Sequence, residues 1–187
     1  MLWRLANGPK YKAQSYNKYR ANGFEFSTWE YDKRRVTQNS GVFMKAITRF
    51  RASGKDINYK ESEATYYGII HGIFELDYTS FKTVVFYCDW VRVEDKINGC
   101  KVDPNSKLVM VNLSKLKSKE RIDDELFILA SEAAQVFYAE DFLNDGWSII
   151  LHTPKRLTTI VDKLEVPIVY QSILEDNVNL NDLLTVD

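Results

Sequence analysis

Histidine and cysteine are scarce in this chain of 187 residues, which contains two of each. His71 and His152 lie far apart, and neither has a second histidine four residues away or a cysteine pair nearby. A metal site requires several such ligands at defined spacing. We therefore expect neither a metal nor any other cofactor, and we interpret each histidine as a strand residue that faces solvent or makes a core hydrogen bond.

The two cysteines, Cys88 and Cys100, form no Cys-x-x-Cys pair. Cys88 lies in an alternating apolar pattern, where a thiol behaves as a small hydrophobic group, so a buried and unreactive Cys88 explains the pattern better than a nucleophile with a distant histidine. With no secretory-signal pattern, we expect a reducing intracellular compartment, either nucleus or cytoplasm. No apolar run approaches the roughly 20 residues that cross a bilayer, so no membrane is expected.

Loops that cradle phosphates and strained nucleophile turns are also missing, because the chain contains no GxxxxGK[ST], GxGxxG or GxSxG pattern. Carboxylates that could act as an acid and a base occur only as clusters at residues 123–125 and 140–141. Such clusters are typical of solvated turns. We therefore expect that the chain is not an enzyme and takes no small-molecule substrate.

The chain is rich in hydrophobic residues, and its charges are distributed unevenly along the sequence. Hydrophobic residues make up 45% and aromatic residues 13%, enough for a sizeable core. Residues 1–60 carry thirteen Lys and Arg against four Asp and Glu, a sum of +9, whereas residues 161–187 sum to −5. Either an anionic partner or attraction between the two ends explains this asymmetry. We predict a basic N-terminal arm at 1–64, a β-barrel domain at 65–160 and an acidic tail from residue 161 onward.

Turn chemistry divides the arm. Asn22-Gly23 lies between aromatic segments and predicts the two-residue turn of a β-hairpin, because both residues accept a positive φ. The end of a helix is predicted at residues 2–9, where Asn7-Gly8-Pro9 stops it. Residues 49–64 are polar without any apolar period, and we predict a surface loop there.

Strand patterns dominate the main body. Gly68 and Gly72 lie four residues apart in the first of these patterns, so we expect them on one face of a strongly bent strand. The second pattern is apolar on both faces, which predicts a central strand. The strands are predicted within residues 65–76, 81–93, 107–113 and 147–153.

Residues 126–141 fit two structures. Their apolar residues match a helical stripe, and they also match two short strands separated by a turn. We favour strand, one short helical turn and strand, because both flanks are rich in β signals. Beyond residue 163 the chain is acidic and irregular, and we expect a tail that is docked loosely or disordered.

The chain as a whole is predicted to be mainly β, that is, a β-rich α+β fold. We expect a small, curved, SH3-like barrel of about five strands, with the N-terminal hairpin arm packed against it. Such barrels are commonly binding modules, although a fold by itself does not identify a ligand.

The string RRVTQNSGV at residues 34–42 joins arm and barrel, and it could either grip phosphate or hold the fold. We predict a structural junction in which the side chains of residues 37–40 bond neighbouring backbone and Gly41 permits a tight turn. Arg34 and Arg35 are the part of the string that we expect to contact DNA.

Basic residues are interleaved with aromatic ones throughout the arm, a pattern in which cations neutralise phosphates and rings can stack on bases. The alternative is that the aromatic residues fill a small core while the cations stay solvated. The nucleic-acid candidates are Lys18, Arg20, Lys33, Arg34, Arg35, Lys45, Arg49 and Arg51. A peptide groove on the barrel is the other candidate site, lined by Tyr66, Tyr67, Tyr87 and Trp90.

Seven strings in one order, covering residues 2 to about 153, resemble a plant domain of unknown function that lies downstream of the transposase core in CACTA (En/Spm-type) transposon proteins. The strings are LANGP, SYNKYRANGFEFST, RRVTQNSGV, YYGIIHGIFELDY, VVFYCDWV, FILASEAAQVFYAED and WSIILHT. The resemblance implies a product of a plant mobile element or a gene derived from one. It implies no catalytic residues, because recombinase chemistry belongs to a separate acidic-triad domain.

The expected function is therefore a non-catalytic accessory module of a transposase-like protein that binds DNA or the transposase complex through its basic arm. The alternative is a protein-interaction module that offers a barrel groove or a strand edge to a peptide, to transposase subunits or to its own copy.

Overall fold

The computed structural model describes residues 8–50, 60–116, 126–142 and 144–155, together with the short segments 169–170 and 177–179. A mainly β fold is confirmed, and the described residues include one four-residue helix, α1 (Trp29–Asp32). The strands are β1 (Lys12–Ser15), β2 (Lys18–Ala21), β3 (Phe24–Ser27), β4 (Gly41–Phe50), β5 (Lys60–Asp77), β6 (Lys82–Trp90), β7 (Cys100–Val102), β8 (Val109–Val111), β9 (Phe127–Leu129), β10 (Ala134–Glu140), β11 (Ser148–His152), β12 (Val169–Tyr170) and β13 (Asn177–Asn179).

These strands form two antiparallel sheets within the described residues. The larger sheet is curled and follows the order β13-β1-β5-β4-β10-β11-β8-β7, with β6 and β9 branching from β5. The smaller sheet has the order β12-β2-β3. The expected count of about five strands is too low, because strands from the predicted arm and the tail join the sheet of the predicted barrel.

Strand β5 is the spine of the larger sheet and runs for 18 residues. It pairs with β4 along residues 60–69 and with β6 along residues 68–77. The surface loop predicted at 49–64 is therefore wrong at its two ends, which are strand, while residues 51–59 lie outside the described part of the chain. No apolar period marks this end of β5, where the described backbone pairs with β4.

A β-bulge interrupts β5 at His71. Ile70 pairs with Cys88 and Gly72 pairs with Tyr87, so His71 is an extra residue that has no opposite number on β6. Gly68 and Gly72 consequently lie on opposite faces, and the prediction of a shared face is wrong. Side chains alternate between the two faces with a period of two only in a regular strand, so an inserted residue reverses the faces of all residues beyond it.

Two apolar clusters cover the two faces of β6, which confirms the predicted central strand. The main core lies on one face and contains Phe86, Cys88 and Trp90, together with Ile70 and Ile73 of β5 and rings of the β2–β3 hairpin. A smaller cluster on the other face includes Val85 and Tyr87. A further core fills the part of the fold near β8, β10 and β11, around Val111, Val136 and Ile150.

The Asn22-Gly23 hairpin is confirmed, with φ values of +55° and +79°. The Asn22 side-chain amide donates to the carbonyls of Ala130, Ser131 and Ala133 at 3.1, 2.8 and 3.1 Å. These carbonyls surround the 3-10 turn Ala130–Glu132 between β9 and β10. The predicted strand, turn and strand at 126–141 are therefore confirmed, and the turn is where the hairpin docks.

Two further predicted strands are present in the structure, although they are shorter than predicted. The third and fourth predicted strands of the main body correspond to β8 and β11. In the acidic tail, β12 pairs with β2 and β13 pairs with β1, so these two segments of the tail are docked in sheets rather than irregular. The predicted helix end falls mainly on residues 1–7, which lie outside the described part of the chain.

Candidate nucleic-acid interface

Helix α1 presents the exposed cations of the arm. The Thr28 hydroxyl caps the helix by accepting from the Tyr31 N–H at 3.3 Å, and the chain leaves the helix in a turn that exposes Lys33, Arg34 and Arg35. The Arg35 guanidinium lies over the Tyr31 ring at 4.8 Å from its centroid. The Lys18 ammonium lies 5.8 Å from the same centroid, so Tyr31 gathers cations from two elements. We call Lys18, Tyr31, Lys33, Arg34 and Arg35 the basic cluster.

Charge compensation within this cluster is partial. Lys33 Nζ lies 2.8 Å from Glu30 Oε2, and this hydrogen bond, with the charges of Lys33 and Arg34, lowers the pKa of the Glu30 carboxyl. Among the residues that the structure describes, Arg34 and Arg35 have no carboxylate within ion-pair distance. These two guanidinium groups therefore keep most of their charge available to an anion from solution.

The two cations of strand β2, Lys18 of the basic cluster and Arg20, also form ion pairs inside the fold. Lys18 and Arg20 both contact the Glu25 carboxylate on β3, with Arg20 at 3.3 Å. Burial would raise the pKa of Glu25, but the hydrogen bonds and charges of Lys18 and Arg20 outweigh it, and the pKa is lowered. Because Arg20 and Glu25 are directly opposite in the hairpin, the position of its turn already predicts this pair.

The other predicted cations do not join the cluster. Lys45 lies on β4 with its Nζ 3.7 Å from Glu63 Oε1, and both side chains are exposed. Arg49 is placed in β4 opposite Glu61 by strand register. Arg51 lies outside the described residues.

The polar run that follows the cluster holds the fold through its backbone N–H groups, whereas the prediction assigned this role to the side chains of residues 37–40. The buried Asp32 carboxylate accepts from the backbone N–H groups of Asn39 and Ser40, each at 2.7 Å, and from the Ser27 hydroxyl. We call Ser27, Asp32, Asn39 and Ser40 the Asp32 clasp. It ties the end of α1 to the start of β4, so that the cluster rests on a fixed support. The role of Asp32 cannot be recognised from the sequence, because an acidic residue in a short helix usually faces solvent.

Gln38 and Gly41 act differently from the prediction. The Gln38 side-chain oxygen accepts from the N–H of Tyr138 at 2.7 Å, a partner 100 residues away rather than a neighbour. Gly41 makes no tight turn. A Cβ added there would lie 2.2 Å from the Val136 carbonyl oxygen, so glycine is required by the close approach of β10.

The four aromatic residues proposed to line a groove are not brought together. Trp90 belongs to the main core with Tyr66 packed at its margin, Tyr67 belongs to the core near β8, β10 and β11, and Tyr87 lies on the other face of β6. Tyr67, Tyr87 and Trp90 are buried, which makes them packing residues rather than a binding surface.

The histidines and cysteines form no shared site in the structure. His71 Nε2 lies 2.8 Å from Asp89 Oδ2, and His152 packs edge-on against Phe43 at 4.7 Å between ring centroids. Cys88 and Cys100 are free and buried, and burial raises the pKa of both thiols. Within the described residues no group of three His, Cys, Asp or Glu side chains could hold a metal ion.

The comparisons with known proteins concern the second half of the chain. Residues 74–150 match a domain of unknown function, DUF4216. The match covers less than half of the chain, from the end of β5 into β11, and it leaves out the basic cluster and the Asp32 clasp. No curated protein and no solved structure matches the chain. None of the helices in the described ranges has the length and apolar character needed to cross a membrane.

Proposed function

We propose that this chain is a non-catalytic module that binds nucleic acid through the basic cluster. The observation that carries the proposal is the exposed pair Arg34 and Arg35, which have no carboxylate at ion-pair distance among the described residues and which follow a helix held by the Asp32 clasp. The clasp holds the backbone on both sides of the two arginines, so binding of their guanidinium groups to phosphate oxygens requires little ordering of the main chain.

The same geometry favours contacts to phosphates over contacts to bases. Arg35 covers one face of the Tyr31 ring, so that face is occupied and does not offer a stacking platform. Phosphate contacts carry little sequence information, and they depend strongly on salt because bound cations release counterions. The proposed binding is therefore weakly sequence-specific and strongest at low salt.

The cellular setting is part of the proposal. The resemblance of seven sequence strings to a domain of CACTA transposon proteins supports an accessory role in a plant transposase-like protein that acts in the nucleus. In that role the curled sheet, as a variant of an SH3-like barrel, carries the cluster and makes no chemical step of its own.

The test is a salt series on labelled duplex and single-stranded DNA of about 30 nucleotides, measured by fluorescence anisotropy. R34A/R35A is expected to weaken binding and to lower the slope of log affinity against log salt by about 2, one unit for each lost phosphate contact. The matched control, K96A/K115A, removes two exposed lysines outside the arm and is expected to keep the slope. No affinity at low salt, or equal losses in both variants, would overturn the proposal.

A further inference from the structure

The part of the chain that matches a domain of unknown function, residues 74–150, contains two groups of strands that do not pair with each other. We call it the matched segment. One group is β6 with β9 and the last residues of β5, and the other is β10 with β11, β8 and β7. Within the described part of this segment, one isolated bridge between Val91 and Leu116 joins the backbones of the two groups.

The strands that join the two groups into one sheet come from outside the matched segment. Strand β10 pairs with β4, β4 pairs with the first part of β5, and β5 pairs with β6. Residues 86–90, more than half of β6, pair with residues 68–73. The described strands of the two groups therefore form one continuous sheet only through residues 41–73.

The β2–β3 hairpin covers the apolar face of the matched segment. Tyr19, Phe24 and Phe26 are buried in one cluster with Phe86 and Ile128 of that segment, and the Phe26 and Phe86 ring centroids are 4.9 Å apart. Each aromatic side chain buries about 150–250 Å². Without the hairpin, the matched segment would expose an apolar face on the order of several hundred Å², which soluble monomers rarely do.

Polar groups fix how the hairpin lies on this face. The Asn22 amide donates to three carbonyls of the 3-10 turn between β9 and β10, which belongs to the matched segment. In the opposite direction, the buried Gln135 amide of β10 donates to the Glu25 carbonyl at 2.6 Å and to the Asn39 carbonyl at 3.3 Å. A buried amide that loses its partners is costly, so each part of the chain satisfies polar groups of the other.

We infer that the matched segment is one half of a single folding unit and that its partner is residues 12–73 of the same chain. The surface to be completed takes two pieces, an aromatic hairpin with an amide at its turn and a strand pair that joins the two groups of strands. The basic cluster and the Asp32 clasp lie in this partner half, so they unfold together with the matched segment. The inference concerns folding and does not rest on nucleic-acid binding.

Hydrogen exchange of the full chain, followed by mass spectrometry, tests the inference. In one cooperative unit the slowest amides of every part exchange through the same global unfolding, so a destabilising substitution raises their rates by a common factor. F26A removes a buried ring from the partner half and should raise the rates in residues 82–90 and 134–140 at least tenfold, by the same factor as in residues 18–27. I128A, in the matched segment, should raise the rates in residues 18–27 at least tenfold in return.

V36A is the matched control, because Val36 lies in the partner half but is fully exposed, and it should leave all rates within about twofold of the wild type. If F26A unfolds the chain outright, loss of protection in residues 82–90 and 134–140 supports the inference, because an independent matched segment would stay protected. The inference is overturned if F26A removes protection from residues 18–27 while residues 82–90 and 134–140 keep their wild-type rates.

Discussion

At the scale of single residues, the Asp32 carboxylate determines how α1 meets β4. It is buried and accepts two backbone N–H groups and one hydroxyl, so its charge is satisfied by three donors. Deleting an acceptor of this kind leaves buried donors without partners, and each such donor costs about 1–3 kcal/mol. The exposed arginines that follow α1 depend on this support for their position.

Replacement of Asp32 tests the clasp. D32A is expected to lower the free energy of unfolding by roughly 3 kcal/mol, because it strands the N–H groups of Asn39 and Ser40. D32N is the matched control and should cost about 1 kcal/mol, since its oxygen can accept both N–H groups and its amide can donate to a rotated Ser27 hydroxyl. Urea unfolding measures both values, and equal losses would contradict the proposed geometry.

Tyr138 predicts an alkaline limit to stability. Its hydroxyl donates to the Gly68 carbonyl at 2.8 Å, and burial raises its pKa far above that of a free tyrosine, while burial and Glu75 raise the pKa of Tyr19 to about 12. Between the unfolded pKa near 10 and the folded pKa, the unfolded chain holds fewer protons. Stability is therefore complete below about pH 10 and falls above it, by about 1.4 kcal/mol per pH unit for each such tyrosine.

Y138F should make this alkaline decline shallower, although it lowers stability near pH 8 by removing the bond to Gly68. Y11F is the control, because Tyr11 is 80% exposed and its substitution should leave the decline as it is. Urea midpoints between pH 8 and 11.5 provide the measurement. A decline of the same slope in Y138F and the wild type would be evidence against the assignment.

At the scale of elements, the bulge in β5 determines which residues reach the main core. Ile70 and Ile73 are three residues apart, a spacing that puts side chains on opposite faces of a regular strand. The extra residue at His71 brings both onto the face of Phe86 and Cys88, with which they pair.

Deletion tests this register. Removing His71 leaves Ile70 and Ile73 two residues apart and therefore still on one face, so this variant should fold cooperatively with a loss of roughly 1–2 kcal/mol. Removing Asp89, whose carboxylate lies 2.8 Å from His71 Nε2, deletes a residue that is in register on β6 and turns either Trp90 or Cys88 away from the main core. That variant should lack a cooperative unfolding transition in urea. If both deletions fold alike, the bulge does not set the register.

At the scale of the whole molecule, two short segments of the acidic tail are paired with strands of the basic arm. The tail strands β12 and β13 pair with β2 and β1 of the basic arm, and Tyr170 is directly opposite Lys18 of the basic cluster. Residues 161–187 sum to −5 and residues 1–60 to +9, and in the sequence the acids of the tail flank the two paired segments. We therefore predict that the tail cancels part of the field that would attract a polyanion.

Neutralising the six acids of the tail as amides, at positions 162, 165, 175, 176, 182 and 187, should therefore raise DNA affinity at low salt by about three- to tenfold. These substitutions leave the residues of β12 and β13 unchanged. The difference in DNA affinity between this variant and the wild type should shrink as the salt concentration rises, because salt screens the charges of the tail. An affinity that is unchanged in the same anisotropy assay at low salt would show that the tail does not oppose binding.

The sequence by itself determined the local structure. Backbone preferences and apolar periods act within about ten residues. They determine the Asn22-Gly23 turn, the central position of β6, and the succession of strand, 3-10 turn and strand after residue 126. Two features of the candidate site are also local. The exposure of Arg34 and Arg35 follows from the end of a short helix, and the Arg20–Glu25 pair follows from the register of the hairpin.

Only the tertiary structure decided what those elements do together. The bulge at His71, the requirement for glycine at position 41 and the bond from Tyr138 to Gln38 arise where strands far apart in the chain meet. The aromatic residues expected in a groove became core for the same reason, since burial depends on which face another strand covers. The order of apolar and polar residues in a segment shows the period of a strand. Which other strand covers each face of that strand depends on packing across the whole fold.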